Sequence, residues 1–230
     1  MTSFNLMILA AGYGKRMKKL TYTKPKPLLK INNKELLRHN IDFFIDLGCK
    51  KIVINIHYLH DQIKNFIAEY YSDIEIKLTY ESTLLNTGGG IKNALSFFGD
   101  KNFLVTNADI LWKEENKKDI LNFIHNYQEI ETCKLLLSQD TNFRGLKKST
   151  GDFKLEDRLV KRWEKNDPHL YYTGLQIINP NIFYLIEESS FSINKLWDLL
   201  IANENLQGKI LDSNIVHIGD INAFNEFKND

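Results

Sequence analysis

Leu9-Ala10-Ala11-Gly12-Tyr13-Gly14-Lys15-Arg16 runs an apolar strand into a tight glycine turn and then directly into two cations. Farther on, Lys26 stands between two prolines in Lys24-Pro25-Lys26-Pro27-Leu28, a frame that restricts its backbone. Glycines let a backbone approach a ligand closely, and the bare N–H groups of a loop or helix start attract anions. The arrangement suits a chain that brings N–H groups and positive charge against a polyphosphate. It is not a dehydrogenase fingerprint, because Met17 stands where the third glycine would be. No G-x-x-x-x-G-K-[ST] occurs either, which excludes the kinase-type phosphate loop.

Outward from this stretch, the apolar run Phe4 to Ala10 reads as a buried strand. Helical stripes are predicted over Lys34 to Leu47, Asp61 to Tyr71, Gly90 to Phe98 and Lys117 to Tyr127. Between them, Lys51 to Ile56, Ile74 to Tyr80, Asn102 to Thr106 and Thr132 to Leu137 read as strands. This β-α alternation predicts an α/β, Rossmann-like, largely parallel sheet with helices on both faces, hence three layers. After Ser138 the texture changes. A hairpin is expected around Glu156-Asp157, a strong strand over Tyr171 to Ile178, a helix over Asn194 to Asn203, two strand pieces within Leu206 to His217 and a last helix over Ile221 to Phe227. The chain is therefore read as one domain, 1–230, in two halves, 1–137 and 138–230, the second completing the same globule.

Composition narrows the class. With 43% hydrophobic and 12% aromatic residues a sizeable core is available, and 30 basic against 29 acidic residues leave a net charge of +1. That balance does not support a nucleic-acid footprint. No apolar run reaches a membrane span and no secretion signal is evident, so a cytoplasmic protein without a membrane partner is expected. Cys49 and Cys133 fall in no metal spacing and are read as buried thiols. His39, His57, His60, His125 and His169 likewise show no ligand spacing and are read as surface or satisfied polar residues, with Trp112 and Trp197 as packing residues.

The strings Leu9 to Arg16 and Pro25 to Leu28 resemble the L-A-A-G-x-G-x-R … P-K-P-L signature of the sugar-1-phosphate nucleotidyltransferases. The resemblance extends over nearly the whole chain. It implies a glycosyltransferase-A-like nucleotidyltransferase fold with a mixed sheet, 1–137 as its nucleotide-binding half and 138–230 as its sugar-binding half, with a small sugar-binding side subdomain. It also implies the reaction of a nucleoside triphosphate with a sugar 1-phosphate to give a nucleoside-diphosphate sugar and pyrophosphate. Ala10, Ala11, Gly12 and Gly14 then shape the phosphate loop; Arg16, Lys26 and Asp109 are the catalytic candidates. Arg16 has the planar fork suited to the β- and γ-phosphates, and Lys26 is a point charge for the α-phosphate. Thr87, Gly88 and Gly89, in Leu85 to Ile91, resemble the family's second nucleotide loop. Glu81 upstream could accept a base N–H, which favours uracil, thymine or guanine over cytosine. Val105-Thr106-Asn107-Ala108-Asp109 is a strand ending in polar residues at the expected ligand crevice, with Asn107 on the nucleotide and Asp109 on a divalent metal.

On the sugar side, Trp163-Glu164-Lys165 resembles the family's E-K-P segment, although Asn166 replaces the proline. Glu164, Lys165, Gly151 and Thr173 are the expected sugar-phosphate contacts. Near the C-terminus the family often shows W-x-D-x-G-T with a second metal-binding aspartate; here Ile215-Val216-His217-Ile218-Gly219-Asp220 places histidine at that position. Three readings stay open. His217 binds a softer ion such as Mn2+ in place of Mg2+, it contacts phosphate, or Asp220 turns inward instead. The histidine variant, the Thr87-to-Gly90 run and Ser192 to Asp198 together resemble the branch near N-acetylmuramate 1-phosphate uridylyltransferases. The rival expectations are a mannose- or heptose-1-phosphate guanylyltransferase, a glucose-1-phosphate thymidylyl- or uridylyltransferase, an alcohol-phosphate cytidylyltransferase and a catalytically silent nucleotide-sugar sensor. The expected partners are the two small substrates, in a monomer or small homo-oligomer.

Overall fold

The computed structural model describes residues 3–146 and 148–229. In chain order the elements are β1 Phe4–Leu9, β2 Lys30–Ile31, β3 Lys34–Glu35, α1 Leu36–Asp46, β4 Cys49–Ile56, α2 His60–Tyr70, β5 Ile76–Tyr80, α3 Asn86–Ala94, β6 Phe103–Asn107, β7 Ile110–Leu111, α4 Lys117–Ile124, β8 Cys133–Gln139, β9 Phe143–Arg144, β10 Phe153–Glu156, β11 Leu159–Arg162, β12 Leu170–Ile178, α5 Ile193–Ala202, β13 Leu206–Leu211, β14 Ile215–His217 and α6 Ile221–Phe227. Nine strands make one sheet in the order β10-β11-β13-β8-β12-β6-β1-β4-β5. Strands β6, β1, β4 and β5 run parallel, as the alternation predicts. Strand β12 lies antiparallel between β6 and β8, which makes the sheet mixed and puts the second half of the chain at its centre. The hairpin at Glu156-Asp157 forms as expected, with Glu156 opposite Leu159.

The two-residue period of a strand sends alternate side chains to opposite faces. In β1, Phe4, Leu6 and Ile8 enter the core packed with Leu37 and Ile41 of α1, Ile63 and Phe66 of α2, and Phe123 of α4. Met7 enters the opposite core with Ile91 of α3 and Leu196, Trp197 and Leu200 of α5. The sheet is thus the middle of three layers, and the apolar stripes read in the sequence are the faces those helices bury. Trp112 and Trp197 are both buried. Cys133 is buried, but Cys49 is only partly so, because it opens β4 at the rim of the core.

A third, smaller cluster holds the ends of the chain together. Met17, Leu29, Ile31, Leu36, Leu111, Val216, Ile218 and Phe227 pack on one another, so the turn after the glycine loop rests on β14 and α6. The backbone N–H of Asn32 also donates to the Lys228 carbonyl at 3.1 Å.

One expectation is corrected. The Thr87-to-Gly90 run is not a loop before a helix: α3 begins at Asn86, and Gly88, Gly89 and Gly90 are buried inside it. A Cβ on Gly88 would sit 2.3 Å from the Phe191 ring, one on Gly89 2.3 Å from the Ser189 carbonyl oxygen, and one on Gly90 2.7 Å from both Asn55 and Glu81. The glycines are needed because segment 189–191 and the Asn55–Glu81 pair press on the helix backbone. Gly→Ala inside a helix ordinarily favours folding by about 1 kcal/mol. Here Gly89→Ala drives a methyl into a carbonyl that cannot yield without moving its chain. Urea denaturation should show Gly89→Ala destabilised by about 1–3 kcal/mol, the usual cost of overpacking; a more stable variant contradicts this packing.

Candidate active site

At the C-terminal ends of β1, β4, β5 and β6 the sheet opens onto a cavity of about 440 Å3. Ala10, Ala11, Gly12, Gly14, Arg16, Lys26, Glu81, Thr87, Asn107 and Asp109, all predicted from sequence, line it. A second cavity of about 360 Å3 adjoins it on the side of β12 and α5. Leu9, Arg16, Thr87 and Asn107 line both, so the two are chambers of one groove.

The glycine loop has two different glycines. Gly14 adopts φ +64°, and a Cβ there would lie 2.9 Å from the Lys26 Cβ. Left-handed backbone and close approach both require glycine at that point. Nothing in the chain lies within 4 Å of a Cβ on Gly12, which lines the first chamber. Its missing side chain leaves room in the groove itself. Arg16 is exposed at the junction of the chambers, and no side chain among the described residues pairs with it.

Lys26 opens a short 3-10 turn, Lys26–Leu28, which Pro25 starts. Its ammonium lies 2.5 Å from Asp109 Oδ2, and both side chains are largely buried at 12% and 19% exposure. His217 reaches the same oxygen, with Nε2 at 3.3 Å. Strand register explains this meeting: β7 follows Asp109 directly and pairs antiparallel with β14, so Ile110 faces His217. The Ile218 N–H donates to the Asp109 carbonyl at 2.8 Å and closes the junction. Asn40, a polar residue within the apolar stripe of α1, donates Nδ2 to the Ile110 carbonyl at 2.9 Å and braces the same turn. Burial raises the Asp109 carboxyl pKa, but the Lys26 ammonium and His217 outweigh it and hold the group well below the ordinary carboxylate range.

Asp109 and His217 supply one oxygen and one nitrogen donor. No cluster of three or more His, Cys, Asp or Glu suited to a metal occurs among the described residues. Asp220 Oδ1 accepts the N–H groups of Asn222 and Ala223 and caps α6. These two donors would hold a divalent ion only with further ligands from outside the chain. The imidazole suits Mn2+ better than Mg2+.

Glu81 is engaged within the protein. Its Oε1 accepts from Asn55 Nδ2 at 2.7 Å and its Oε2 from the Leu85 N–H at 2.9 Å. Asn55 Oδ1 in turn accepts the Ala10 N–H at 2.8 Å. The network ties the start of the glycine loop to α3. Motif and spacing do not mark Asn55, but one asparagine in the apolar run Ile52-Val53-Ile54-Asn55-Ile56 is a visible anomaly. Gly88 and Gly89 face the protein interior and do not line the groove. Thr87 Oγ1 accepts the Ile193 N–H at 2.9 Å and joins α3 to α5 between the chambers.

The sugar-side residues behave differently. Glu164 and Lys165 are exposed on the turn after β11 and line neither cavity. Glu164 pairs instead with Lys154 at 3.2 Å, outside the groove. Gly151 packs on the Trp163 indole, 2.4 Å from where its Cβ would be. Thr173 is buried in a bulge of β12, and its hydroxyl donates to the Leu136 carbonyl at 2.8 Å. The second chamber is walled by Lys148, Asp152, Arg162, Tyr172, Gln176, Asn194, Trp197 and His217 among others. Sequence reasoning names His217 as a site residue and reaches Asp152 and Tyr172 only as neighbours of Gly151 and Thr173 in the sugar-side segments. Arg162 lies on the same strand face as core residue Val160, two positions away, which was the available signal.

The chain belongs to the nucleotidyl transferase family, whose model matches residues 5–229. It is 30% identical over 225 residues to the N-acetylmuramate alpha-1-phosphate uridylyltransferase of Caulobacter vibrioides, covering 94% of this chain and 92% of that protein. It is 28% identical to the mannose-1-phosphate guanyltransferase of Hypocrea jecorina, covering 93% of this chain but 60% of that one. The crystal structure of HddC from Yersinia pseudotuberculosis superposes with a TM-score of 0.76 at 20% identity, covering 97% of both chains, and has the same fold. The fold is the glycosyltransferase-A-like one, and the protein is an enzyme of the sugar-1-phosphate nucleotidyltransferase kind.

The carboxylate of Asp109 generates a linkage effect. A depressed pKa in the folded state adds stability above the unfolded pKa near 4, and this is lost as pH falls through the lower folded value. Asp109→Asn has no such contribution. Denaturant titrations at pH 5 and pH 2.5 should therefore show wild type losing stability relative to Asp109→Asn at the lower pH. A pH-independent difference contradicts the ion pair.

Proposed function

We propose that the enzyme transfers UMP from UTP to N-acetylmuramate 1-phosphate, giving UDP-N-acetylmuramate and pyrophosphate, in cytoplasmic peptidoglycan recycling. The observation that carries a two-substrate transfer is the groove of two chambers with Arg16 on their common wall. The choice of uridylyl group and sugar is supported by the likeness to the Caulobacter vibrioides protein over nearly the full length of both chains.

In this reading the triphosphate lies along the backbone of residues 10–14, and Gly12 leaves space for it. Arg16 donates its planar fork to the β- and γ-phosphates. The phosphate monoester of the sugar is itself a competent nucleophile, and its oxygen attacks the α-phosphorus in line. A new P–O bond forms, the bond to the β-phosphate oxygen breaks, and pyrophosphate leaves. Lys26 neutralises charge at the α-phosphate. Asp109, with His217 beside it, would hold a divalent ion. Such an ion, when bound, neutralises the phosphates and fixes their angle. Asn55 and Glu81 position the loop and α3. Positioning and charge neutralisation carry the reaction, with no covalent intermediate.

The test is product formation by the purified protein with each of the four NTPs against a panel of sugar 1-phosphates. UTP with N-acetylmuramate 1-phosphate should give the highest kcat/KM. Preference for GTP with mannose 1-phosphate would replace this assignment by the reading that the Hypocrea jecorina relative supports. Lys26→Ala should lower kcat by roughly a hundred- to a thousandfold, about 3 kcal/mol, the size of losing one transition-state donor. Calorimetry should show a much smaller change in nucleotide affinity; a parallel loss of both would make Lys26 a ground-state binding residue.

A further inference from the structure

We propose that the second chamber accepts a sugar 1-phosphate carrying a further anionic group, a carboxylate, and that Arg162 recognises it; this rests on the transfer reading above. The phosphate of an acceptor has to reach the α-phosphorus from the second chamber, across the wall of Leu9, Thr87 and Asn107 that both chambers share. Arg162 lines only the second chamber, so it addresses the remainder of the sugar.

Its guanidinium is held in place before any ligand arrives. Nε and Nη2 each donate to Asp198 Oδ1 at 2.8 Å, Nη2 also donates to Asn194 Oδ1 at 2.9 Å, and the plane lies 4.8 Å from the Phe153 ring centroid. No hydrogen bond of Nη1 occurs among the described residues, so its two hydrogens remain to be donated. Asp198 is 58% exposed and lies outside the lining, where water screens its charge. The acid within the chamber, Asp152, is already committed: Oδ1 pairs with Lys148 at 2.5 Å and Oδ2 accepts the Tyr172 N–H at 3.2 Å. A neutral hexose presents hydroxyls that need acceptors as well as donors. A pre-oriented arginine with spare donors matches a carboxylate better.

The experiment compares acidic with neutral acceptors in wild type and Arg162→Gln. N-acetylmuramate 1-phosphate is set against N-acetylglucosamine 1-phosphate, and glucuronate 1-phosphate against glucose 1-phosphate, each with saturating UTP. Wild type should prefer the acidic member of a pair. Arg162→Gln should lose roughly ten- to a hundredfold in kcat/KM on that member, the size of one charge-assisted hydrogen bond, and little on its neutral counterpart. Turnover of the neutral sugar also reports that the variant is folded. Equal losses on both members, or no acidic preference in wild type, would overturn the proposal. Preference for glucuronate over N-acetylmuramate would uphold Arg162 as carboxylate reader while removing the muramate assignment. No turnover of any sugar would overturn both.

Discussion

An ammonium and a carboxylate 2.5 Å apart, both largely out of water, are what the rest of this structure is arranged around. Removing two charges from solvent costs several kcal/mol each, and only close, well-oriented contact offsets it. The contact needs Lys26 from the proline-framed turn, Asp109 from the end of β6 and His217 from β14 on one oxygen. Each comes from a different third of the chain. The small β7–β14–β9 sheet, the Asn40 brace and the left-handed Gly14 all make that meeting possible.

A second constraint works through space. The Asn55–Glu81 pair is buried, and every polar atom it uses points at backbone or at the partner. Replacing a nearby glycine with any larger residue would displace a hydrogen-bonding atom. Buried polar groups are costly when unsatisfied, so such a network specifies one arrangement. The glycine loop, α3 and α5 are held as one unit through Asn55, Glu81 and the Thr87–Ile193 hydrogen bond.

Much of this was legible in the residues. Strand and helix periodicity marked the three layers, and the glycine-cation string marked residues that line the first chamber, because those signals are local. The antiparallel insertion of β12 was not legible, since period-two alternation is the same for either strand direction. The triple glycine reads as a loop because the crowding that requires it, by segment 189–191, comes from a hundred residues away. Glu164 and Lys165 carried the right chemistry, but the tight turn after β11 directs them outward. Arg162, two residues earlier, alternates inward with Val160. Sequence spacing alone decides such a two-residue difference poorly, because it depends on where β11 ends.

Met17 and its neighbours rest on Val216, Ile218 and Phe227. Chains generally fold from the N-terminus as they are synthesised. The parallel strands can pair early, but the floor beneath the first glycine turn is missing until α6 has left the ribosome. The growing polypeptide therefore completes the packing under that turn only once α6 has emerged.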